Sequence, residues 1–242
     1  LPCGGAKAVI ILNDKVKENK EAVLKSYAEN LSHLKGCFVT GTDVGLSQND
    51  IEHMREDTDN LVGFNDNATD ATADGLVASI KVCLEEKFGT NDMKDRSFAI
   101  QGLGKVGEAL LSIIHDSAGQ IFVSDINKAL LEEIVIEYPD VIVVSTDEIH
   151  KQNVDVFSPC ALSHSFNGQT VKELHCSIIA GAANNQLENH DVGNQIHSKG
   201  ILYAPDYVVN AGGLIAVYDE YENGIDHDVD ITEKIQNIGT RL

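Results

Sequence analysis

The alternation of short apolar runs with helical stretches from residue 97 onward constrains the fold of this chain most strongly. Runs such as "SFAI", "VIVVS", "SIIAG" and "ILYAP" alternate with stretches such as "KVGEALLSIIHDSAG" and "NKALLEEIVIEY". Strands that are apolar along their whole length are typical of a parallel sheet that helices cover on both faces. The pattern therefore predicts an α/β fold with a doubly wound parallel sheet.

Composition narrows the classes of partner. Of the 242 residues, 43% are hydrophobic and 23% are charged, which is ordinary for a folded globular enzyme. The formal net charge of −20 gives a surface that repels nucleic acids and anionic membranes. We therefore expect no nucleic-acid partner and no membrane association.

The cysteines and histidines indicate neither a disulfide framework nor a metal site. The five cysteines are scattered and never form a CxxC pair, and the nine histidines show no HxxxH or HxH spacing. An odd number of dispersed cysteines suits a reducing compartment, so we expect a cytoplasmic protein without a bound metal.

The region before the alternation has a different organisation. The stretch "KENKEAVLKSYAENLSHLKG" predicts a helix ending at Gly36, "CFVT" a strand and "NDIEHMREDT" a second helix. The polar stretch "GFNDNATDAT" is predicted to be a loop and the domain boundary, followed by a helix over Leu76 to Phe88. We therefore expect a partial α/β substrate domain at 1–68, a dinucleotide-binding domain at 69–222 and a C-terminal helical segment beginning at 223–242.

A glycine-rich loop follows the "SFAI" strand and opens the next helix. Gly102 permits the tight turn, Gly104 lets a pyrophosphate approach the backbone, and Gly107 lets the helix pack closely on the strand. Asp125 closes the next strand, where a carboxylate accepts hydrogen bonds from ribose hydroxyls and repels a 2′-phosphate. These residues predict a Rossmann domain that binds NAD in preference to NADP.

Two residues of the N-terminal region are candidates for proton chemistry. Lys7 in "GGAKAVI" lies between two glycines and an apolar run, which predicts a strand that buries the lysine stem and desolvates its ammonium. Asp43 in "TGTDVG" ends a predicted strand. Taken singly, Lys7 also suits a surface position and Asp43 a turn.

Several motifs together resemble one enzyme family. The motifs "LPCGGAKAVI", "TGTDVG", "QGLGKVG", "FSPCAL", "IIAGAANNQL" and "YAPDYVVNAGG" stand in the order found in the glutamate, leucine, phenylalanine, valine and tryptophan dehydrogenases. The "GAANNQL" wording is most similar to the leucine and tryptophan types. The resemblance implies reversible, NAD-dependent oxidative deamination of an L-amino acid to a 2-oxo acid and ammonia by a homo-oligomer.

The resemblance also implies roles for individual residues. Lys7 would be the catalytic lysine that assists attack of water on the imine, and Asp43 would shuttle protons to and from the amino group. Thr72 matches a threonine near the nicotinamide amide. Asn184, or its neighbour Asn185, would lie by the nicotinamide ribose, and Asn210 near the carboxamide and the substrate.

The predicted ligand contacts fall into two sets. The cofactor set comprises Gly102, Gly104, Lys105, Val106, Gly107, Asp125, Ile126, Thr72, Cys160, Ala161, Ala182, Asn184 and Asn210. The substrate set comprises Gly5, Lys7 and Asn210.

Two other functions compete with this interpretation. Family members carry a second lysine upstream of the glycine-rich lysine and helices that would follow Leu242, so we expect the sequence to be cut at both ends. A non-catalytic NAD-binding fragment or degenerate relative is therefore the main alternative, although such a module needs neither Lys7 nor Asp43. A 2-hydroxy-acid dehydrogenase would need a histidine–carboxylate relay that the sequence does not suggest.

Overall fold

The computed structural model describes residues 3–11, 19–41, 43, 45–64, 67–161, 165–224 and 231–242. Residues 225–230, which belong to the predicted C-terminal helical segment, lie outside these ranges. The helices are α1 (Lys20–His33), α2 (Gln48–Arg55), α3 (Ala68–Phe88), α4 (Lys105–Ile114), α5 (Lys128–Glu137), α6 (Thr170–Glu173), α7 (His190–Ser198), α8 (Asp206–Val209), α9 (Gly212–Asn223) and α10 (Thr232–Gln236). The strands are β1 (Thr40–Gly41), β2 (Leu61–Val62), β3 (Ser97–Gln101), β4 (Gln120–Ser124), β5 (Ile142–Val143), β6 (Val156–Pro159), β7 (Ile178–Ile179) and β8 (Leu202–Tyr203).

The chain forms two compact units. Unit 1 comprises Leu1–Asp66 and Val217–Val229, and unit 2 comprises Asn67–Ala216 and Asp230–Leu242. Helix α9 thus begins in unit 2 and ends in unit 1.

Unit 2 holds a six-stranded sheet in the order β5-β4-β3-β6-β7-β8, and every pairing is parallel. The chain runs outward from β3 through β4 to β5, and then returns to β6 on the other side of β3. The strand order therefore reverses between β3 and β6. In open α/β sheets, ligands bind at this switch point, outside the carboxyl ends of the strands.

Side chains of the central strand alternate between two apolar clusters. Phe98 and Ile100 of β3 pack with Leu76 of α3 and Leu110 of α4 on one face. Ala99 points to the opposite face, where the cluster includes residues of β6, α6 and α7. Helices cover both faces of the parallel sheet, so the predicted doubly wound α/β fold is confirmed.

Unit 1 has a small core between two helices and a two-stranded parallel sheet. Leu24 and Leu31 of α1 pack against Ile51 and Met54 of α2, and β1 pairs with β2 over two residues. Both predicted helices are confirmed. The "CFVT" strand is shifted, since pairing begins only at Thr40.

Two sequence predictions about local structure are wrong. Residues 4–11 form no strand, and Val9 and Ile11 are 79% and 90% exposed, because no strand in the described part of unit 1 pairs with them. The polar "NATDAT" stretch is not a loop, since α3 already begins at Ala68. Its first turns pack against α9: a Cβ on Gly212 would lie 1.8 Å from the Ala71 carbonyl oxygen.

A search of the described helices for a span long and apolar enough to cross a bilayer finds none.

Candidate active site

The loops after β3 and β6 meet at the switch point of the sheet. Gly102 has φ +91°, and a Cβ there would lie 2.9 Å from Cα of Ala161. The Cys160 N–H donates to the Gln101 carbonyl at 2.7 Å, and the Gly102 N–H donates to the Ser124 carbonyl at 2.8 Å. A residue with a side chain at position 102 would be strained in its backbone and would also push the two loops apart.

The other two glycines of the loop differ in what surrounds them. A Cβ on Gly107 would lie 2.0 Å from the Gly102 carbonyl oxygen, so helix α4 packs against the loop at a distance that only glycine allows. A Cβ on Gly104 would meet nothing within 4 Å. Packing within the protein therefore does not require glycine at position 104. The close approach of a phosphate group to the backbone would require it.

The start of α4 offers backbone donors to an anion. The first helical hydrogen bond runs from the Glu108 N–H to the Gly104 carbonyl at 2.9 Å. The N–H groups of Lys105, Val106 and Gly107 precede this bond and have no helical acceptor. Together with the open space above Gly104, they fit the pyrophosphate of a dinucleotide.

Asp125 is fixed at the end of β4 by two backbone donors. Its Oδ2 accepts from the Leu103 N–H at 2.8 Å, and its Oδ1 accepts from the Asn127 N–H at 2.7 Å. Each carboxylate oxygen keeps a further lone pair for a ribose hydroxyl. Ile126 follows with 88% of its surface exposed, beside the same strand end.

The loop after β7 brings three predicted residues together. Asn210 Nδ2 donates to the Ala182 carbonyl at 3.2 Å and to Asn184 Oδ1 at 2.7 Å. The Ala183 N–H donates to the Pro159 carbonyl at 2.9 Å, which ties this loop to the end of β6. Ala182, Asn184 and Asn210 thus lie at the same edge of the sheet as the glycine-rich loop.

Thr72 lies on α3 against the start of α9. Its Oγ1 donates to the Ala68 carbonyl at 2.7 Å, and a Cβ on Gly213 would lie 2.6 Å from this oxygen. Because the hydroxyl proton is used within the helix, the oxygen presents its lone pairs to any ligand. It can accept a hydrogen bond from an amide NH₂ group.

The Cys160 thiol is unsuited to act as a nucleophile. Burial raises the pKa of the thiol to about 11, although a hydrogen bond from the Ala182 backbone acts in the opposite direction. A thiol with this pKa stays protonated at neutral pH, whereas the thiolate is the reactive form. Cys160 therefore serves as a small packing residue beside the glycine-rich loop, in contact distance of a Cβ on Gly107.

Unit 1 brings Lys7 and Asp43 into direct contact. Lys7 Nζ forms an ion pair with Asp43 Oδ2, although the two residues are 36 positions apart in the sequence. Asp43 follows β1, as predicted, and its carbonyl accepts from the Leu46 N–H at 3.0 Å. Gly41 allows β1 to approach β2, since a Cβ there would lie 2.8 Å from the Val62 carbonyl oxygen.

The expected burial of Lys7 is wrong for the described structure. The Lys7 side chain is 72% exposed and that of Asp43 is 47% exposed. Gly5 lies in the same exposed segment, with open space around its Cα. The carboxylate, rather than an apolar strand, is the group that contacts the ammonium.

Sequence reasoning missed two polar residues that shape the loop after β7. Asp206 Oδ2 accepts from the Asn185 N–H at 2.6 Å, and buried Gln186 donates to two carbonyls of its own loop. The only local signal for Asp206 is its place directly after Pro205, at the first position of a helix. Its partner is 21 residues away, so the contact has no sequence pattern.

The described residues contain no group of three or more acidic, histidine or cysteine side chains that could hold a metal ion. A surface cavity of about 380 Å³ in unit 1 is lined by charged and polar residues of both signs, among them Lys35, Arg55 and Asp57. Neither Lys7 nor Asp43 lines it. The cavity is therefore separate from the candidate catalytic pair.

Comparisons with known proteins identify the same family that the sequence motifs resemble. The family model of the glutamate/leucine/phenylalanine/valine dehydrogenases matches residues 63–240. The chain is 41% identical over 225 residues to L-tryptophan dehydrogenase of Nostoc punctiforme, covering 91% of this chain and 63% of that relative. It is 37% identical over 226 residues to leucine dehydrogenase of Bacillus subtilis, covering 91% and 62%.

The fold of this chain is also similar to that of a solved structure. The crystal structure of L-tryptophan dehydrogenase from Nostoc punctiforme matches with a TM-score of 0.79 and 36% identity, over 92% of this chain and 64% of that one. The chain thus spans somewhat less than two thirds of the length of these relatives. The extent of the family match and the shared fold show that this chain belongs to the glutamate/leucine/phenylalanine/valine dehydrogenase family.

Proposed function

We propose that the protein catalyses the reversible, NAD-dependent oxidative deamination of an L-amino acid of the leucine, valine, phenylalanine or tryptophan type. In this reaction the amino acid, water and NAD⁺ give the 2-oxo acid, ammonium, NADH and a proton. Membership of the family and the names of its relatives, which act on tryptophan and leucine, support the proposal. The amino acid and its 2-oxo acid are then the small-molecule partners.

The observation that carries the proposal is the ion pair between Lys7 and Asp43. A dinucleotide site alone does not define the chemistry, whereas deamination needs a group that takes a proton from the amine and a donor that polarises the forming carbonyl. A carboxylate and an ammonium in contact supply both. Their exposure in unit 1 leaves them accessible to a substrate.

In the proposed mechanism, NAD held by unit 2 would supply the acceptor for the hydride of the substrate α-carbon, and the residues of this chain would move the protons. Asp43 takes a proton from the amino group, so that the nitrogen lone pair can form the imine. Lys7 donates a hydrogen bond to the oxygen of the attacking water and then to the carbonyl oxygen of the product. Asp43 releases its first proton to solvent, takes a proton from the attacking water and gives it to the amino nitrogen; the second proton of the water leaves with the ammonia, which departs as ammonium.

The dinucleotide would be held at the carboxyl edge of the sheet in unit 2. The N–H groups at the start of α4 would bind the pyrophosphate, and Asp125 would accept hydrogen bonds from the adenosine ribose. Thr72 Oγ1 would accept from the nicotinamide carboxamide, and Asn184 and Asn210 would orient the nicotinamide ribose and the substrate. Gly5 would give the substrate close access beside Lys7.

We propose NAD rather than NADP as the cofactor, because the Asp125 carboxylate would repel a 2′-phosphate. Its two backbone hydrogen bonds keep it at the end of β4, where it cannot move away without breaking them. Titration of the protein with NAD and with NADP tests this choice. Equal affinity for both would contradict it.

The activity is tested by supplying the full-length protein with NAD and a panel of leucine, valine, phenylalanine, tryptophan and glutamate at alkaline pH. Formation of NADH is followed by absorbance. We expect turnover with at least one of the apolar amino acids and little with glutamate. Absence of turnover with the entire panel would refute the proposal.

A non-catalytic NAD-binding module is distinguished by calorimetry. The enzyme binds a 2-oxo acid in the presence of NADH, whereas a module that only senses the dinucleotide binds NADH alone. Retention of both members of the Lys7–Asp43 pair favours the enzyme.

We propose that unit 1 contributes the substrate domain, that unit 2 binds the dinucleotide, and that the protein works as a cytoplasmic homo-oligomer. Light scattering of the full-length protein measures its oligomeric state.

A further inference from the structure

The loop formed by residues 181–186, which follows β7, is held by polar contacts on three sides. Its inner side is fixed by Gln186, which is fully buried and whose Nε2 donates to the Gly181 and Ala183 carbonyls at 2.7 and 3.0 Å. Towards β6, Gly181 lies so close to Pro159 that a Cβ would be 2.3 Å from its carbonyl oxygen. The loop therefore cannot collapse or shift toward β6.

The outer side of the loop is fixed by Asp206. This half-buried residue opens α8, and its Oδ2 accepts from the Asn185 N–H at 2.6 Å. Asn185 has φ +50°, in the left-handed region that residues with a side chain adopt rarely and asparagine more readily than most. A short hydrogen bond to a carboxylate is of the strong, charge-assisted kind and can hold the backbone in this conformation.

The conformation of Asn185 decides where its neighbour points. Asn184 is exposed, and its Oδ1 accepts from Asn210 Nδ2 at 2.7 Å. The same Nδ2 group donates to the Ala182 carbonyl. If the Asn185 backbone relaxed to a negative φ, the peptide between positions 184 and 185 would rotate and Asn184 would leave Asn210.

We propose that Asp206 is a positioning residue for the nicotinamide half of the dinucleotide. Its carboxylate holds Asn185 in the left-handed conformation and thereby sets Asn184 against Asn210. Asp206 acts through this loop and touches no reacting atom. The inference rests on the proposed function, because it assigns the 181–186 loop to the nicotinamide side of the cofactor.

The test compares two ligands of the full-length protein by calorimetry. NAD spans the whole site, whereas ADP reaches only the glycine-rich loop and Asp125. For Asp206→Ala we expect roughly tenfold weaker binding of NAD, the usual effect of losing one hydrogen bond to a charged group. Binding of ADP stays within about twofold of the wild type, because the adenosine half is untouched.

Two further variants sharpen the test. Asp206→Asn keeps an oxygen that can accept from the Asn185 N–H, so it recovers most of the NAD affinity. Asp206→Ser suits the first turn of a helix but is too short to reach Asn185. It reproduces the loss of NAD affinity and replaces Asp206→Ala if that variant does not fold.

Asp191 provides the matched control. It is an exposed acid at the second position of α7, so Asp191→Ala also removes one negative charge from the first turn of a helix. We expect this variant to bind NAD and ADP as the wild type does.

The outcomes separate this inference from the proposed function. A wild-type protein that does not bind NAD contradicts both. A wild type that binds NAD, together with an Asp206→Ala variant that binds it equally well, overturns the positioning role alone. Equal losses for NAD and ADP also overturn it, because they show a general structural effect.

Discussion

The glycine-rich loop makes a prediction in which two substitutions of the same kind have opposite consequences. Replacing Gly107 by alanine places a Cβ 2.0 Å from the Gly102 carbonyl oxygen. Carbon and oxygen normally stay about 3.3 Å apart, so helix α4 must move by roughly 1.3 Å from the loop. Replacing Gly104 by alanine adds a methyl group that meets no protein atom within 4 Å.

The expected magnitudes follow from these distances. Overpacking of this severity costs about 3 kcal/mol, and at this chain length each kcal/mol lowers Tm by about 2–4 °C. Gly107→Ala should therefore lower Tm by roughly 6–12 °C. Gly104→Ala should change the stability by less than about 1 kcal/mol, since φ −64° suits alanine and only its weaker N-capping counts.

The affinity for NAD should be reduced by the Gly104→Ala substitution, which hardly changes the stability. In Gly104→Ala the new methyl group occupies the space through which the pyrophosphate approaches, so we expect at least a tenfold loss of NAD affinity, about 1.4 kcal/mol. Thermal unfolding and calorimetric titration of both variants measure the two effects. A Gly107→Ala variant with wild-type Tm, or a Gly104→Ala variant with wild-type NAD affinity, would refute the reasoning.

Three further predictions concern the rest of the chain. Lys7→Ala and Asp43→Asn should each abolish turnover, measured as NADH formation. The affinity for NAD and Tm should stay unchanged, because the pair is exposed and lies outside unit 2. Near-normal turnover in both variants would refute the roles of the two residues. Glu220→Ala should lower the free energy of unfolding by about 2 kcal/mol, because Glu220 Oε1 accepts a hydrogen bond from the buried Gly63 N–H at 2.8 Å. Urea denaturation measures this loss, with Glu220→Gln as the control. Hydrogen bonds to two aspartates raise the pKa of His115. The contribution of His115 to the free energy of unfolding is therefore complete below about pH 6.5 and disappears as the pH rises through the raised pKa. The stability difference between wild type and His115→Asn should therefore be larger at about pH 5.5 than at about pH 9, and a difference that grows with pH would contradict the assignment.

The sequence predicted the features that depend on local patterns. The apolar strands and the spacing of Gly102, Gly104 and Gly107 were sufficient to predict the parallel sheet and a glycine-rich loop between β3 and the next helix, because strand, turn and helix signals coincide there. The position of Asp125 at the end of β4 was predicted in the same way, since it directly follows a strand of that pattern.

Features that depend on tertiary contacts were missed. The start of α3 was predicted as a loop because its residues are polar, but close packing of Ala71 on Gly212 stabilises the helix there. The strand predicted after Lys7 does not form, because an apolar run needs a neighbouring strand to pair with. The contact between Asp206 and Asn185 joins the first residue of α8 to the loop after β7, which share no motif, so only the folded chain reveals it.

The most direct test of the proposed deamination is the stoichiometry of its products. The full-length protein is incubated with NAD and the amino acid that it oxidises fastest, and NADH, ammonia and 2-oxo acid are quantified in the same samples. Oxidative deamination predicts equal amounts of all three, and none of them with the Lys7→Ala variant. Formation of NADH without ammonia, or no formation of NADH with any amino acid, would contradict the proposed function.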